Sequence, residues 1–220
     1  MSDRILGLFA RAPEPGRVKT RLSPPLSAHE AAALYEAMLR DILSQHASEP
    51  EVSLALWFTP PERAFWFERV APKVFALHPQ QGPDLSSRLR HAFRFHAAEG
   101  YARIVVRGTD SPTLPAEHIT RAFAALERVD LVLCPDRDGG YNLIGLRRPC
   151  DALFELELGD GGVLERTLAR ANEAGLSHAR LEPHYDVDRI GDLECLVRDI
   201  DPLRTPRTQA WLRSRASIER

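Results

Sequence analysis

The sequence has few cysteines, no long apolar run and no excess of either charge. Its three cysteines, Cys134, Cys150 and Cys195, are far apart and form neither a disulfide framework nor a zinc motif. Reduced thiols are typical of the cytoplasm, which is where we expect the protein. No apolar stretch approaches transmembrane length, and the first residues lack the charged-then-apolar order of a signal peptide. We therefore expect no membrane insertion.

The charges nearly balance, with 29 Lys+Arg against 31 Asp+Glu and a formal net charge of -2. This balance argues against a nucleic-acid partner, because such a protein usually presents a basic face. The 220 residues are enough to bury a core and contain no internal repeat. The length alone allows one large domain or two small ones.

An apolar run near the start of the chain leads into a loop rich in positive charge. Residues 5–10 (ILGLFA) have the length of a buried strand, and the prolines and the glycine that follow exclude a regular element. The loop carries four cations: Arg11, Arg17, Lys19 and Arg21. At the carboxyl end of a buried strand such a loop suits an anion, although a solvated basic loop explains it equally well. It is not a P-loop, because Val18 rather than glycine precedes Lys19.

The rest of the chain alternates apolar runs with segments of helical periodicity. We expect further strands at 52–58, 74–77, 103–106, 130–134 and 141–146. We expect helices at 27–48, 62–70, 84–100 (capped by Asp84 or Ser86), 115–127, 162–174, 192–200 and from 206 towards the C-terminus. This alternation predicts an α/β fold with a mostly parallel sheet and helices on both faces. The turn at 138–140 is too tight for a crossover, so the next strand either pairs antiparallel or leaves the sheet.

Carboxylates follow several of these strands. Asp110 comes after the fourth strand in the sharp turn 108–112, although a helix cap or an Asx turn would explain it more often. Asp186 and Asp188 alternate along an extended segment, so both should face one side, although a solvent-facing strand end also has this pattern. Asp138 is either a turn residue or part of the acceptor side of a crevice, as a possible general base. Cations and carboxylates at one sheet edge suit a metal-bound polyphosphate.

Four motifs occur in an order that resembles one family. They are FARAP with GRVKTRL (9–22), GTDSP (108–112), DGGYNLIGL (138–146) and DVD followed by DL (186–193). Together they resemble the DUF2064 family of glycosyltransferase-A-like (GT-A-like) proteins. That family is also called radical-SAM/selenodomain-associated transferase 1, and some members are labelled arsenosugar biosynthesis glycosyltransferases. It is similar at longer range to 2-phospho-L-lactate guanylyltransferase and to molybdenum cofactor guanylyltransferase.

The resemblance runs from the first strand to about Leu196 and implies one nucleotide-diphospho-sugar transferase domain over 1–220. Its core would span about 4–200, with a C-terminal helix at about 206–218. The nucleotide phosphates would be held by Arg11, Gly16, Lys19 and Arg21. The nucleobase would meet Gln81, Gly82 and Asp84. Mg²⁺ (or Mn²⁺) would be held by Asp110 and Asp188, with Asp186 as a helper.

The sequence departs from the family pattern in two places. Ser86-Ser87 stands where relatives often carry glycine, and Arg189 stands where the late motif usually has threonine. We expect Lys19 and Asp110 to act in catalysis by stabilising charge on phosphate oxygens. As an exposed loop cation, Lys19 should contribute little to stability.

Two enzyme activities and one binding function fit these features. The first is Mg²⁺-dependent transfer from a nucleotide sugar to a small-molecule acceptor. The alternative is nucleotidyl transfer from a nucleoside triphosphate, as in guanylyltransferases. The third is a nucleotide-binding module without turnover, against which three retained carboxylates argue.

Overall fold

The structure is a computed structural model that describes residues 2–47, 52–155 and 162–218. Within these ranges seven strands form one sheet: β1 Arg4–Arg11, β2 Ser53–Thr59, β3 Phe75–Pro79, β4 Arg103–Gly108, β5 Leu131–Pro135, β6 Tyr141–Leu146 and β7 His178–Arg180. Seven α-helices accompany them: α1 Ala28–His46, α2 Ala64–Val70, α3 Leu85–Ala98, α4 Ala116–Ala125, α5 Val163–Glu173, α6 Ile190–Asp199 and α7 Pro206–Ile218.

The sheet has the strand order β3-β2-β1-β4-β6-β5-β7. All described pairings are parallel except those of β6, which runs antiparallel to both β4 and β5. The predicted mostly parallel sheet is thus confirmed, and the tight turn at 138–140 keeps its second strand inside the sheet. The strand order reverses at β1, which lies between β2 and β4. Open α/β sheets bind ligands at the carboxyl ends of strands beside such a reversal.

Helices cover both faces of the sheet, as predicted. Leu6 and Leu8 of β1 pack on one face, in a core that includes Leu39 of α1 and Phe123 of α4. On the other face, Ile5 belongs to a core that includes residues of α3 and α5. Successive side chains of a strand point to opposite faces. A strand buried on both sides therefore reads as a continuous apolar run, which is why β1 was recognisable.

Two of the helices begin with a capping box. Ser27 accepts a hydrogen bond from the backbone of Glu30 and completes a capping box before α1. Asp84 does the same with Ser87 before α3, which decides between the two predicted caps in favour of Asp84. The predicted end of the first helix, Ser48, lies outside the described residues.

The structure also contains elements that the sequence did not predict. Strand β7 has three residues and pairs parallel with β5. Helix α6 begins at Ile190 rather than at Asp192. Across the described ranges, no helix combines the length and apolar character needed to cross a membrane. The single domain over 1–220 and the cytoplasmic location stay predictions.

Candidate active site

A cleft of about 560 Å³ opens at the carboxyl ends of β1 and β4. Its lining includes ionisable side chains from three separate parts of the chain: Arg11, Lys19, Asp110, Asp186 and Asp188. The lining also includes Gln80, Asp84 and Arg88, which follow β3, and Tyr141 and Asn142 of β6; in the strand order these two groups lie on opposite sides of β1 and β4. The basic loop after β1 and the Asp110 loop after β4 therefore face the same cleft, which brings cations and carboxylates together at one sheet edge.

Lys19 lines this cleft and pairs with two of its carboxylates. Its ammonium Nζ is 2.5 Å from Oδ1 of Asp110 and 3.9 Å from Oδ1 of Asp188. The side chain is only 4% exposed, so the expectation of an exposed loop cation is wrong. The loop turns Lys19 inwards through a left-handed backbone, with φ 50° and ψ 37°. Among the described residues it is the only non-glycine residue with a positive φ.

Such a conformation costs about 1–2 kcal/mol for an L-residue, and proteins keep strain of this kind mainly at functional positions. Lys19 is also one of two lysines in the sequence. The other, Lys73, is exposed and precedes β3, so it lies at the amino ends of the parallel strands, whereas the cleft lies at their carboxyl ends.

Hydrogen bonds of Tyr35 connect the ends of β1 and β4, the two strands that frame the cleft. Its hydroxyl lies 2.8 Å from Oγ1 of Thr109 and accepts a hydrogen bond from the backbone of Arg11 at 3.1 Å. Thr109 in turn donates to the carbonyl of Phe9 at 3.0 Å. Burial raises the pKa of Tyr35, so the hydroxyl stays protonated. These bonds fix the loop that carries Asp110 against the end of β1.

Arg107, which the sequence prediction missed, supports the same loop from inside the core. Its guanidinium is buried and donates to the carbonyls of Ser111 at 2.6 Å and Gly108 at 3.1 Å. Nη1 lies 3.1 Å from Nε2 of His46. Burial lowers the pKa of Arg107 to about 10, so it remains charged at neutral pH. An arginine directly after the apolar run 104–106 (IVV) was the available signal.

The late acidic segment docks onto the Asp110 loop. The backbone of Val187 donates to the carbonyl of Asp110 at 2.9 Å, and Ser111 donates to the carboxylate of Asp186. Asp188 accepts from Arg21 at 2.8 Å. Burial, and then the charge of Asp110, raises the pKa of Asp186 to about 7. The three predicted metal-binding carboxylates thus reach one cleft from distant parts of the sequence.

This arrangement fits a two-carboxylate metal site better than a three-carboxylate one. Within the part of the chain that the structure describes, no group of three or more His, Cys, Asp or Glu side chains is arranged to hold a metal ion. Asp110 and Asp188 are 42% and 34% exposed, with the Lys19 ammonium near both. Mg²⁺ commonly binds through one or two carboxylates plus substrate phosphates. The metal itself stays a prediction.

Several predicted site residues lie elsewhere. Asp138 is at the same sheet edge but does not line the cleft; its side chain is 57% exposed, and Oδ2 is 3.6 Å from Nε of Arg189. It is therefore not placed to act as a general base in the cleft. The other predicted residues absent from the described cleft lining are Gly16, Arg21, Gln81 and Gly82.

Physical reasons account for these corrections. Arg21 binds Asp188 from outside the cleft lining, and Gly16 has the positive φ of a turn. Gly82 is needed for packing, because a Cβ there would collide with the side chain of Ser87. Gln80 rather than Gln81 lines the cleft, and its amide donates to the carbonyls of Ala10 at 3.2 Å and Trp57 at 2.9 Å.

Comparison with known proteins gives a consistent picture. Residues 42–156 match the family described as an uncharacterized protein conserved in bacteria, DUF2064. A 3-phospho-D-glycerate guanylyltransferase of Phenylobacterium zucineum is 34% identical over 207 residues, covering 90% of this chain and 92% of the relative. A 2-phospho-L-lactate guanylyltransferase of Methanothermobacter thermautotrophicus is 29% identical over 178 residues, covering 80% of this chain and 76% of the relative.

A solved structure extends the likeness to almost the whole chain. A protein of Desulfovibrio desulfuricans, assigned provisionally as a nucleotide-diphospho-sugar transferase, superposes with a TM-score of 0.90 at 31% identity. The match covers 99% of this chain and 96% of that one. It confirms the nucleotide-diphospho-sugar transferase (GT-A-like) fold expected from the motifs.

Proposed function

Since the chain belongs to the DUF2064 family and is a transferase, we propose that it transfers a nucleotidyl group from a nucleoside triphosphate to a small phosphorylated carboxylic acid. The sequence motifs favoured a nucleotide-sugar donor. We now place nucleotidyl transfer before sugar transfer, because the relatives at 34% and 29% identity are named guanylyltransferases. Both act, by name, on phosphorylated three-carbon acids.

The observation that carries this proposal is the position of Lys19. Its buried ammonium and the Arg11 side chain line a cleft at the sheet edge where phosphates are expected, facing the carboxylates of Asp110 and Asp188. Positive groups fixed before the reaction stabilise charge that develops on phosphate oxygens without reorganising. An isolated buried ammonium would be costly, and pairing with the Asp110 and Asp188 carboxylates offsets that cost until a polyphosphate arrives.

The proposed reaction balances without a general base. An anionic oxygen of the acceptor's phosphate attacks the α-phosphorus of the triphosphate and forms a new P–O bond. The bond from that phosphorus to the bridging oxygen breaks, and pyrophosphate leaves with the electron pair. Lys19 and Arg11 stabilise the negative charge on the transferred and departing groups. Because the attacking phosphate is already deprotonated, the reaction needs no proton acceptor at Asp138.

We propose Asp110 and Asp188 as the residues that would hold Mg²⁺ (or Mn²⁺), with Asp186, which lines the same cleft, as a helper. A divalent ion, when bound, supplies positive charge to the phosphate oxygens. Because Lys19 already pairs with both carboxylates, a metal ion would compete with its ammonium for their oxygens. Metal binding without nucleotide should therefore be weak, since two ligands are already engaged.

The test is to identify the product released. Purified protein is incubated with Mg²⁺, each of the four nucleoside triphosphates and a phosphorylated three-carbon acid, and pyrophosphate is measured. We expect release that requires the acid and is fastest with GTP. Lys19→Met should abolish it, whereas Lys73→Met, the same change at the exposed lysine, should not. Triphosphate binding without pyrophosphate release under any combination would contradict the proposal.

Sugar transfer remains the second candidate, favoured by the assignment of the structural relative as a nucleotide-diphospho-sugar transferase. In that reaction an acceptor oxygen attacks the anomeric carbon, and nucleoside diphosphate leaves. Incubation with nucleotide sugars and measurement of nucleoside diphosphate, in the same two lysine variants, distinguishes the activities. Nucleoside diphosphate released in place of pyrophosphate would make this the activity of the cleft.

A further inference from the structure

Asn142 is a buried amide that lines the cleft without a hydrogen-bond partner. It is 4% exposed, and neither Oδ1 nor Nδ2 has a partner among the described residues. It interrupts the apolar strand β6, where Leu143 and Ile144 follow it in the core. Buried polar side chains nearly always have a partner in folded proteins, so an unpaired amide at a binding cleft points to a ligand.

The direction of β6 places this amide at the cleft. Because β6 is antiparallel to its neighbours, its first residues lie at the edge where the parallel strands end. Leu143 pairs with Arg107, so the next residues outward, Asn142 and Gly108, are close neighbours. A Cβ on Gly108 would have no heavy atom within 4 Å, and Gly108 also lines the cleft. The space beside Asn142 is therefore open.

In the strand order, β6 with Asn142 lies on one side of β1 and β4, and β3, which precedes Gln80 and Arg88, lies on the other. Lys19 follows β1 and Asp110 follows β4, so both come between these two sides. A triphosphate held at Lys19 needs separate spaces for its nucleoside and for the acceptor, which approaches the α-phosphorus in line with the departing pyrophosphate. The lining on the side of Gln80 and Arg88 includes the apolar Leu85 and Leu89, which suits a nucleobase. The side at Asn142 is then the place for the acceptor.

We propose that Asn142 binds the acceptor and selects an acid that carries a free hydroxyl next to its carboxylate; this rests on the proposed nucleotidyl transfer. A side-chain amide offers one donor group and one acceptor atom. The amide Nδ2 donates to a carboxylate oxygen of the acid, and Oδ1 accepts the hydroxyl proton. An acid without the hydroxyl leaves Oδ1 buried and unpaired, which a site built for a hydroxyl rejects.

Binding of a matched pair of acids tests this. D-3-phosphoglycerate and 3-phosphonooxypropanoate differ only in the hydroxyl. Their affinities are measured by calorimetry with Mg²⁺ and the α,β-methylene analogue of GTP, which cannot release pyrophosphate. We expect the parent to prefer phosphoglycerate by about tenfold or more. In Asn142→Leu the preference should disappear, mainly through weaker binding of phosphoglycerate. Asn172→Leu, at the chain's other asparagine on α5 outside the cleft, should keep it.

Asn142→Asp is the second variant, in case the leucine variant does not fold. It keeps an oxygen for the hydroxyl but replaces the donor with a negative charge, so both acids should bind more weakly while the hydroxyl preference remains. Equal affinities in the parent, or an unchanged preference in Asn142→Leu, would overturn the inference, as would equal affinities in Asn142→Asp. If neither acid binds the parent, it is likewise overturned.

Pyrophosphate release, measured separately with GTP, distinguishes this inference from the proposed function. Release without a hydroxyl preference refutes the role of Asn142 and leaves nucleotidyl transfer standing. A hydroxyl preference that depends on Asn142, without pyrophosphate release, refutes nucleotidyl transfer. It still supports Asn142 as the residue that binds the acid and selects for its hydroxyl.

Discussion

Replacing Asp110 by alanine should have opposite effects on nucleotide affinity with and without metal. In the structure Oδ1 of Asp110 is 2.5 Å from the Lys19 ammonium, and the aspartate side chain is 42% exposed. Without metal, the variant frees Lys19 for the phosphates and removes a repelling charge. Because the aspartate of this ion pair is partly exposed and therefore screened by solvent, the gain should be at most about 1 kcal/mol, roughly fivefold in affinity.

With Mg²⁺ the same variant loses a carboxylate ligand. One charge-assisted contact is worth roughly 1.5–3 kcal/mol, so affinity should fall by about tenfold to a hundredfold relative to the parent. The two curves therefore cross: the variant binds GTP more tightly than the parent in chelator and more weakly in Mg²⁺. Calorimetric titration of GTP under both conditions measures each arm.

Two further variants sharpen this test. Asp188→Ala should respond in the same direction, with a smaller metal-free gain, because Asp188 is 3.9 Å from Lys19 and is also bound by Arg21. Asp138→Ala removes an exposed carboxylate at the same sheet edge but outside the cleft, so both arms should match the parent. Unchanged metal dependence in Asp110→Ala and Asp188→Ala would show that these carboxylates do not hold the ion. Weaker binding of Asp110→Ala in chelator would show that Asp110 orients Lys19 rather than restraining it.

Three other predictions concern stability. Lys19→Gly should be more stable than Lys19→Ala by up to about 1 kcal/mol in urea unfolding, because relief of the left-handed backbone outweighs the extra entropy of glycine in the unfolded chain; the reverse order would refute the strain. Burial lowers the pKa of His96 from 6.5 to about 4, and Trp57 donates to its Nε2 at 2.9 Å. The stability that neutral His96 contributes is therefore fully present above pH 6.5 and is lost as the pH falls towards 4. His96→Gln should show a smaller loss over that range, and an equal loss would assign it to other groups. Gly145→Ala should destabilise by about 1–3 kcal/mol without changing GTP affinity, because the new Cβ would lie 2.7 Å from Cγ1 of Val132; an unchanged melting temperature would mean that the strands shift to accept it.

Much of the fold could be predicted from the sequence, because its main strands are buried on both faces and read as apolar runs. The limits appear where neighbours decide the outcome. Strand β7 is three residues long and exists through its pairing with β5, so its own sequence, His-Ala-Arg, carries little signal. The position of β6 inside the sheet depends on β4 and β5 offering it two free edges, which a turn length cannot show.

The sequence predicted which loops form the site, but not the contacts that their side chains make. Lys19, Asp110, Asp186 and Asp188 were expected in one crevice and line one cleft. The burial of Lys19 was not foreseen, because it follows from a left-handed backbone at a lysine, which no propensity favours. Arg107 and Asn142 were missed although each is a polar residue adjoining an apolar run of its strand. A buried polar residue of that kind is a useful sequence signal for a role at a nearby site.

The scarcity of lysine makes this protein its own chemical probe. With one lysine exposed at Lys73 and the other enclosed between carboxylates at Lys19, an amine-reactive acylating reagent meets two side chains of very different accessibility. Acylation of Lys73 gives an internal reference for reagent exposure. Acylation of Lys19, read by peptide mass spectrometry, then reports whether the ammonium has left its carboxylates and whether a ligand covers it. Occupancy of the cleft can thus be followed on the natural sequence, without a substitution or an engineered label.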